Sequence, residues 1–367
     1  MHIRTALVGG IILIALAGMA YAVWGEPPAL FVPSTSQLEG NVPRDLASTT
    51  SAVLATVCVG EKSADFDCLE TYYESLVTDK GVKAAFDDLK ARYPKNAYVR
   101  AQCHPLTHVI GRGAALASQT VSEAYLSGDS FCWSGYYHGV LETYVARVGL
   151  QNLPKRINDV CKDIPGKSQY SFDYYNCVHG LGHGVMAITE DELFDSLKYC
   201  RYLTGGWEQQ SCASGVYMEN IIADGRDHQT KYLKKSDPLY PCNASLDLFK
   251  NTCYLMQTSY ILTLNGDSFK DTFATCRTAE APYRATCYQS LGRDASGHST
   301  SDVARTNAIC LLGRDYAEQS NCVIGAVKDF VSYFHSDTQA YALCDSFKDA
   351  SLATLCRSTA ESYYKQF

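Results

Sequence analysis

The chain has 367 residues, 46% of them apolar, enough for a large core or a long solenoid and too apolar for a disordered polymer. Its formal charge is −7 and no Lys/Arg run exceeds a few residues, which argues against nucleic acid as a partner. Sixteen cysteines, an even count, point to an oxidising compartment; thiolate metal sites would want CxxC-type spacing, which is absent.

The N-terminus agrees with that compartment. Arg4 precedes an uncharged apolar run from Ala6 to Trp24, and Ala20-Tyr21-Ala22 has the small-x-small form of a cleavage site. The run is also about long enough to span a bilayer, so residues 1–24 are either a cleaved signal peptide or an uncleaved membrane anchor. Both readings place the rest of the chain outside the cytoplasm: secreted, periplasmic or at the cell surface. The membrane is met only through this segment. Residues 25–51 hold Pro27, Pro28, Pro33, Pro43 and many Ser and Thr, the composition of a flexible linker.

Residues 52–367 are expected to form one α-helical domain, with a His-rich half at 52–190 and a regular half at 191–367. Cys58 with Cys68 and Cys103 with Cys132 are taken as pairs, although they stand out of phase with the cysteines downstream. From Cys161 the pattern settles. Cys161 with Cys177, Cys200 with Cys212, Cys242 with Cys253, Cys276 with Cys287, Cys310 with Cys322 and Cys344 with Cys356 are the expected disulfides. Cys242, Cys276, Cys310 and Cys344 are 34 residues apart. A period near 34 is the length of one helical hairpin, which cannot bury its apolar face alone and must stack on its neighbours. Each disulfide would then staple the turn between two helices of a hairpin. Around Cys276, residues 267–275 have helical spacing, Pro282 suits a helix start, and a second helix runs through Leu291. Around Cys242, a helix is expected through Tyr260 and Leu262 to a stop at Asn265-Gly266. Strand signals are sparse. The expected fold is all-α: a disulfide-stapled helical-hairpin array, α-solenoid-like. In repeat length and hairpin pattern it resembles tetratricopeptide- or Sel1-type arrays, whose consensus residues are absent, so no function carries over.

Histidines concentrate in the first half. Five of the nine fall in three cysteine-led stretches: 103–108 (CHPLTH), 132–139 (CWSGYYHG) and 177–184 (CVHGLGHG). His138 and His183 each lie six residues after their cysteine, so they are expected at equivalent positions of successive units. His179 and His183 are one helical turn apart, the spacing of paired metal ligands, and Glu142 stands one turn after His138. His104 and His108 share that spacing, although Pro105 is expected to start their helix and leave His104 at or before its N-cap. Gly135, Gly180, Gly215 and Gly325 all fall three residues after a cysteine, which implies close helix packing. Gly139 and Gly184 follow His138 and His183 directly, which implies crowding beside them. The expected ligand set is His104, His108, His138, Glu142, His179 and His183, for Zn²⁺, Cu²⁺ or non-haem Fe²⁺. Packing histidines, or a metal-free catalytic histidine, are the competing readings.

Downstream, Met218, Arg293 and Lys328 take the sixth place after their cysteines, and Glu219, Asp294 and Asp329 the seventh. These acids are read as a solvated face in preference to partners of the site. His228, His298 and His335 are read as loop or surface residues. Three functions stay open: a metal-dependent enzyme, hydrolase or oxidase, with Glu142 as ligand or general base; a non-enzymatic interaction scaffold for a protein partner; and metal storage or delivery. The substrate is not specified by any motif.

Overall fold

The protein is described by a computed structural model, which covers Cys58 and residues 64–132, 134–222, 230–299, 302–334 and 336–365. The segments expected to be a leader or anchor (1–24) and a linker (25–51) lie outside these residues, as do His228 and His335. The described residues form eighteen α-helices and no strand; one isolated bridge joins Lys234 and Asp237. None of these helices is long and apolar enough to cross a membrane.

The N-terminal part comprises α1 (Phe66–Lys80), α2 (Val82–Arg92), α3 (Ala97–Ala101), α4 (Cys103–Ala117), α5 (Val121–Leu126) and α6 (Gly135–Val148). Local chemistry explains their limits. The Asp65 carboxylate caps α1 by accepting from the Cys68 N–H. Thr120 and Glu123 form a reciprocal capping box on α5. Helix α4 begins at Cys103, ahead of Pro105, which corrects the expectation that His104 precedes the helix. Proline is tolerated in a first turn because the N–H it lacks has no intrahelical partner there. His104 therefore faces inward on the same helix as His108.

Next come α7 (Leu153–Val160), α8 (Phe172–Ile188), α9 (Leu193–Cys200) and α10 (Gly206–Ile222). Helix α8 is buried without interruption from Tyr174 to Met186. It is buried on all sides because α6 and α10 both pack on it. The C-terminal part holds α11 (Asp247–Met256), α12 (Thr258–Leu264), α13 (Phe269–Arg277), α14 (Arg284–Ser299), α15 (Val303–Cys310), α16 (Tyr316–Phe334), α17 (Thr338–Ser346) and α18 (Ala350–Tyr364). Asn265-Gly266 ends α12 as expected, with Gly266 at φ +58° and the Asp267 N–H returning to the Leu262 carbonyl. The single helix expected around Cys253 is instead divided at Gln257. The Gln257 amide donates to the carbonyls of Pro238 and Tyr240 and ties the helix to the preceding turn.

The longer helices pack on one another in chain order, α4 on α6, α6 on α8, α8 on α10, and further on α14 on α16 and α16 on α18. The core falls into two clusters, one from Cys58 to Ala279 and one from Leu262 to Tyr363. Not every contact is between neighbours. Ser332 and Tyr333 of α16 share a cavity of about 280 Å³ with Tyr93 and Phe131 of the N-terminal part.

All sixteen cysteines are paired, in eight disulfides with Cα atoms 5.3–5.9 Å apart. Cys58 bonds Cys68, and Cys103 bonds Cys132. The other six tie the end of a short helix, or the turn before a longer one, to the helix that follows. Cys161, at the end of α7, bonds Cys177 of α8. Cys200 of α9 bonds Cys212 of α10, and Cys242 bonds Cys253 of α11. Cys276 of α13 bonds Cys287 of α14, Cys310 of α15 bonds Cys322 of α16, and Cys344 of α17 bonds Cys356 of α18. Such a complement is the mark of an oxidising, extracytoplasmic environment. Loop-closure entropy sets the expected cost of removal. Replacing Cys276 and Cys287, 11 residues apart, by serine should cost about 2.8 kcal/mol, and replacing Cys103 and Cys132, 29 apart, about 3.6 kcal/mol. Urea unfolding of the two double variants checks the order; a larger loss from the shorter loop would contradict it.

Candidate metal centre

Three helices build the centre. Helix α4 supplies His104 and His108, α6 supplies His138 and Glu142, and α8 supplies His179 and His183. Their close approach depends on glycine. A Cβ on Gly139 would lie 2.0 Å from the His108 carbonyl oxygen, and one on Gly111 2.0 Å from that of Tyr136, so α4 and α6 meet backbone to backbone. Gly182 and Gly215 play the same part between α8 and α10. These contacts offset the roughly 1 kcal/mol that each glycine costs a helix interior.

The five histidines come together, four of them almost wholly buried. The Nε2 atoms of His104 and His108 are 3.0 Å apart, and those of His179 and His183 3.1 Å apart. The His138 ring sits between the two pairs, 5.2 Å from the centroids of His104, His108 and His179 and stacked on His183 at 4.1 Å. Ligand atoms within 4.8 Å of one another form two triads, His104–His108–His138 and His138–His179–His183. Glu142 belongs to neither.

Hydrogen bonds to a carbonyl and to two carboxylates fix which nitrogen of His104, His108 and His183 carries the proton. His104 Nδ1 lies 2.8 Å from the Cys132 carbonyl oxygen, which can only accept, so Nδ1 donates. His108 Nδ1 donates to Glu142 Oε1 at 2.8 Å, and His183 Nδ1 to Glu219 Oε2 at 2.5 Å. His179 Nδ1 lies 2.8 Å from Ser214 Oγ, whose own proton goes to the Ser211 carbonyl. Tyr175 adds its hydroxyl 2.9 Å from the same nitrogen. The neutral His104 and His108 rings thereby turn two Nε2 lone pairs toward each other, and a cation between them would relieve their repulsion.

Burial, followed by the neighbouring histidines, holds the pKa of His104, His138 and His179 well below the ordinary value. The spacing also matches a metal site. With metal–nitrogen bonds near 2.0–2.1 Å, nitrogens 3.0–3.1 Å apart subtend an angle of roughly 95° at the ion, an ordinary cis arrangement.

The carboxylates stand behind the histidines. Burial alone would raise the Glu142 carboxyl, but His108 and Arg112 outweigh it and bring its pKa down to about 2. Arg112 lies 3.6 Å from Glu142 and bonds Glu70 at 2.6 Å, which anchors this edge of the centre. Glu219 corrects the reading of the seventh-position acids as a solvated face: it packs on His183. Asp294 and Asp329 correct it as well, since both are buried. Asp294 accepts from the hydroxyls of Thr258 and Ser259 and pairs with Arg293, and Asp329 accepts from Ser296. His298 is likewise no loop residue. It lies within α14, half-buried and edge-on to Phe269.

Ser214 and Tyr175 escaped the sequence reading, which weighs Glu219 as a partner of the site but assigns it to a solvated face, although a signal for its role exists. The carboxylate partner of His108 lies 34 residues downstream and that of His183 lies 36 downstream, each on the next long helix. No family model, curated protein or solved structure matches the chain.

The buried histidines set the acid stability of the metal-free protein. Their folded pKa values are lowered from 6.5, so below that pH the unfolded chain binds up to three more protons. Stability is therefore present above pH 6.5 and lost as pH falls, by up to about 4 kcal/mol per pH unit. Denaturation midpoints of chelator-treated protein at pH 7.5 and 5.5 check this; equal midpoints would show that the rings are not held neutral.

Proposed function

We propose that the protein is an extracytoplasmic metalloprotein that holds a transition metal on the imidazoles of α4, α6 and α8. One observation carries the reading: two Nε2 pairs at 3.0 and 3.1 Å, with every Nδ1 behind them held by a carbonyl, hydroxyl or carboxylate. A ring locked from behind with its lone pair aimed inward is how proteins present histidine to a metal. An all-imidazole set without thiolate suits Zn²⁺, Cu²⁺ or Fe²⁺.

Three protein nitrogens per ion leave a coordination position open, as catalytic sites do. This favours a metal-dependent enzyme, hydrolase or oxidase, over storage or delivery. A bound ion would supply a water of lowered pKa or a site for dioxygen. Glu142 is then the residue that orients His108 and keeps it a good ligand. Elemental analysis of protein purified from an oxidising compartment tests the reading. We expect one or more transition-metal ions per chain. Chelation should lower Tm, and the same ion should restore it. Purified protein with no metal, and no Tm response to Zn²⁺, Cu²⁺ or Fe²⁺, would leave the interaction scaffold as the better reading.

A further inference from the structure

The five histidines are not equivalent, and the odd one is His138. His104, His108, His179 and His183 each have a hydrogen-bond partner behind Nδ1. His138 has none: its Nδ1 is buried and makes no hydrogen bond. A buried polar atom without a partner costs roughly 1–3 kcal/mol. Ligating histidines almost always donate their second nitrogen to an acceptor. The lack of a partner here, in a centre where four other rings have theirs, calls for a specific cause.

Position supplies it. His138 stands on the middle helix of three, between the pair on α4 and the pair on α8. It alone belongs to both triads, and the five ligand atoms do not converge on one point. A single ion would engage only one of the two Nε2 pairs. Two ions engage both pairs, and each then needs a third nitrogen from the shared ring.

We infer that the centre is binuclear and that His138 bridges its two ions as an imidazolate, one ring nitrogen to each. The inference rests on the metal-centre reading above. One ion lies between His104 and His108, the other between His179 and His183. When the second nitrogen binds, the neutral ring releases its one N–H proton to solvent, so charge and atoms balance. Two metal–nitrogen bonds of about 2.0 Å across an imidazole place the ions on the order of 6 Å apart. That separation is too long for one small bridging atom and short enough for the ring to couple unpaired electrons. The unpartnered Nδ1 is then the second ligand atom of the bridge.

Cu²⁺ is the probe, because its unpaired electron reports its neighbour and no free thiol is present to reduce it. Metal-stripped full-length protein is titrated with Cu²⁺, followed by equilibrium dialysis and electron paramagnetic resonance. The expected result is two Cu²⁺ per chain, with a half-field transition and signal intensity well below that of two isolated ions. His138→Gln should abolish the coupling, leaving uncoupled Cu²⁺ at full intensity or one ion fewer. One Cu²⁺ per wild-type chain, or two at full uncoupled intensity, overturns the bridge and leaves the metal centre standing. No Cu²⁺ bound at all overturns both. The wild-type measurement decides the matter even if the variant fails to fold, and circular dichroism reports whether it has.

Discussion

Replacing His183 by Gln should eliminate metal binding on the His179 side of the centre while leaving the helices in place. The side chain is wholly buried and its Nε2 is half of the 3.1 Å pair, so no neighbouring group can take over. Gln fills most of the volume, which keeps the cavity cost small. The disulfides Cys103–Cys132, Cys161–Cys177 and Cys200–Cys212 hold the surrounding backbone. Glu219→Gln should do less, because it leaves the ligand in place and weakens only its orientation; affinity should fall about 10–100-fold. Competition against a chelator of known affinity ranks the two, with far-UV circular dichroism as the control for folding. Wild-type metal content in His183→Gln would remove His183 from the ligand set.

Gly215→Ala should destabilise the protein by about 2–3 kcal/mol and weaken metal binding as well. The added methyl would sit 2.0 Å from the His179 carbonyl oxygen, a contact with backbone that no rotamer can relieve. Helices α8 and α10 must separate. Ser214 and Glu219 ride on α10, so they withdraw from His179 and His183 together. A control lies on the same helix: a Cβ on Gly206 meets nothing within 4 Å, and Gly206→Ala should change little. Thermal unfolding of both variants, with and without added metal, checks the contrast. Equal Tm values for Gly215→Ala and Gly206→Ala would show that the close approach is not needed.

Local chemistry was legible before any coordinates. The cysteine partners, from Cys161 with Cys177 to Cys344 with Cys356, are written at short range. So are the i, i+4 histidines and the glycines packed beside them, because helix geometry fixes who meets whom. What escaped involves contacts across helices. Glu219 reads as one more acid on a helix until α10 is laid against α8. Ser214 reads as a small packing residue for the same reason. Glu142 shares a face with His138 within α6, which invited a ligand role, but the carboxylate reaches across to His108 on α4. Pro105 misled in the opposite way: a strong local signal marked the wrong residue as the helix start, because a proline in the third helical position costs nothing. That His138 belongs to both triads could not be seen in a pattern that gives it the same place as His183.

The order of the disulfides bears on how the chain reaches its native state. Each cysteine pairs with the next one along the sequence, first with second, third with fourth, through to the fifteenth with the sixteenth. Sixteen thiols could combine in about two million ways if all were released at once. A polypeptide that emerges N-terminus first never faces that choice. Each thiol meets its correct mate before the next arrives, so simple vectorial oxidation yields the native set without shuffling. The histidines obey another schedule. The last residue that orients them, Glu219, follows the fourth crosslink, so metal can be captured while the C-terminal half is still being delivered.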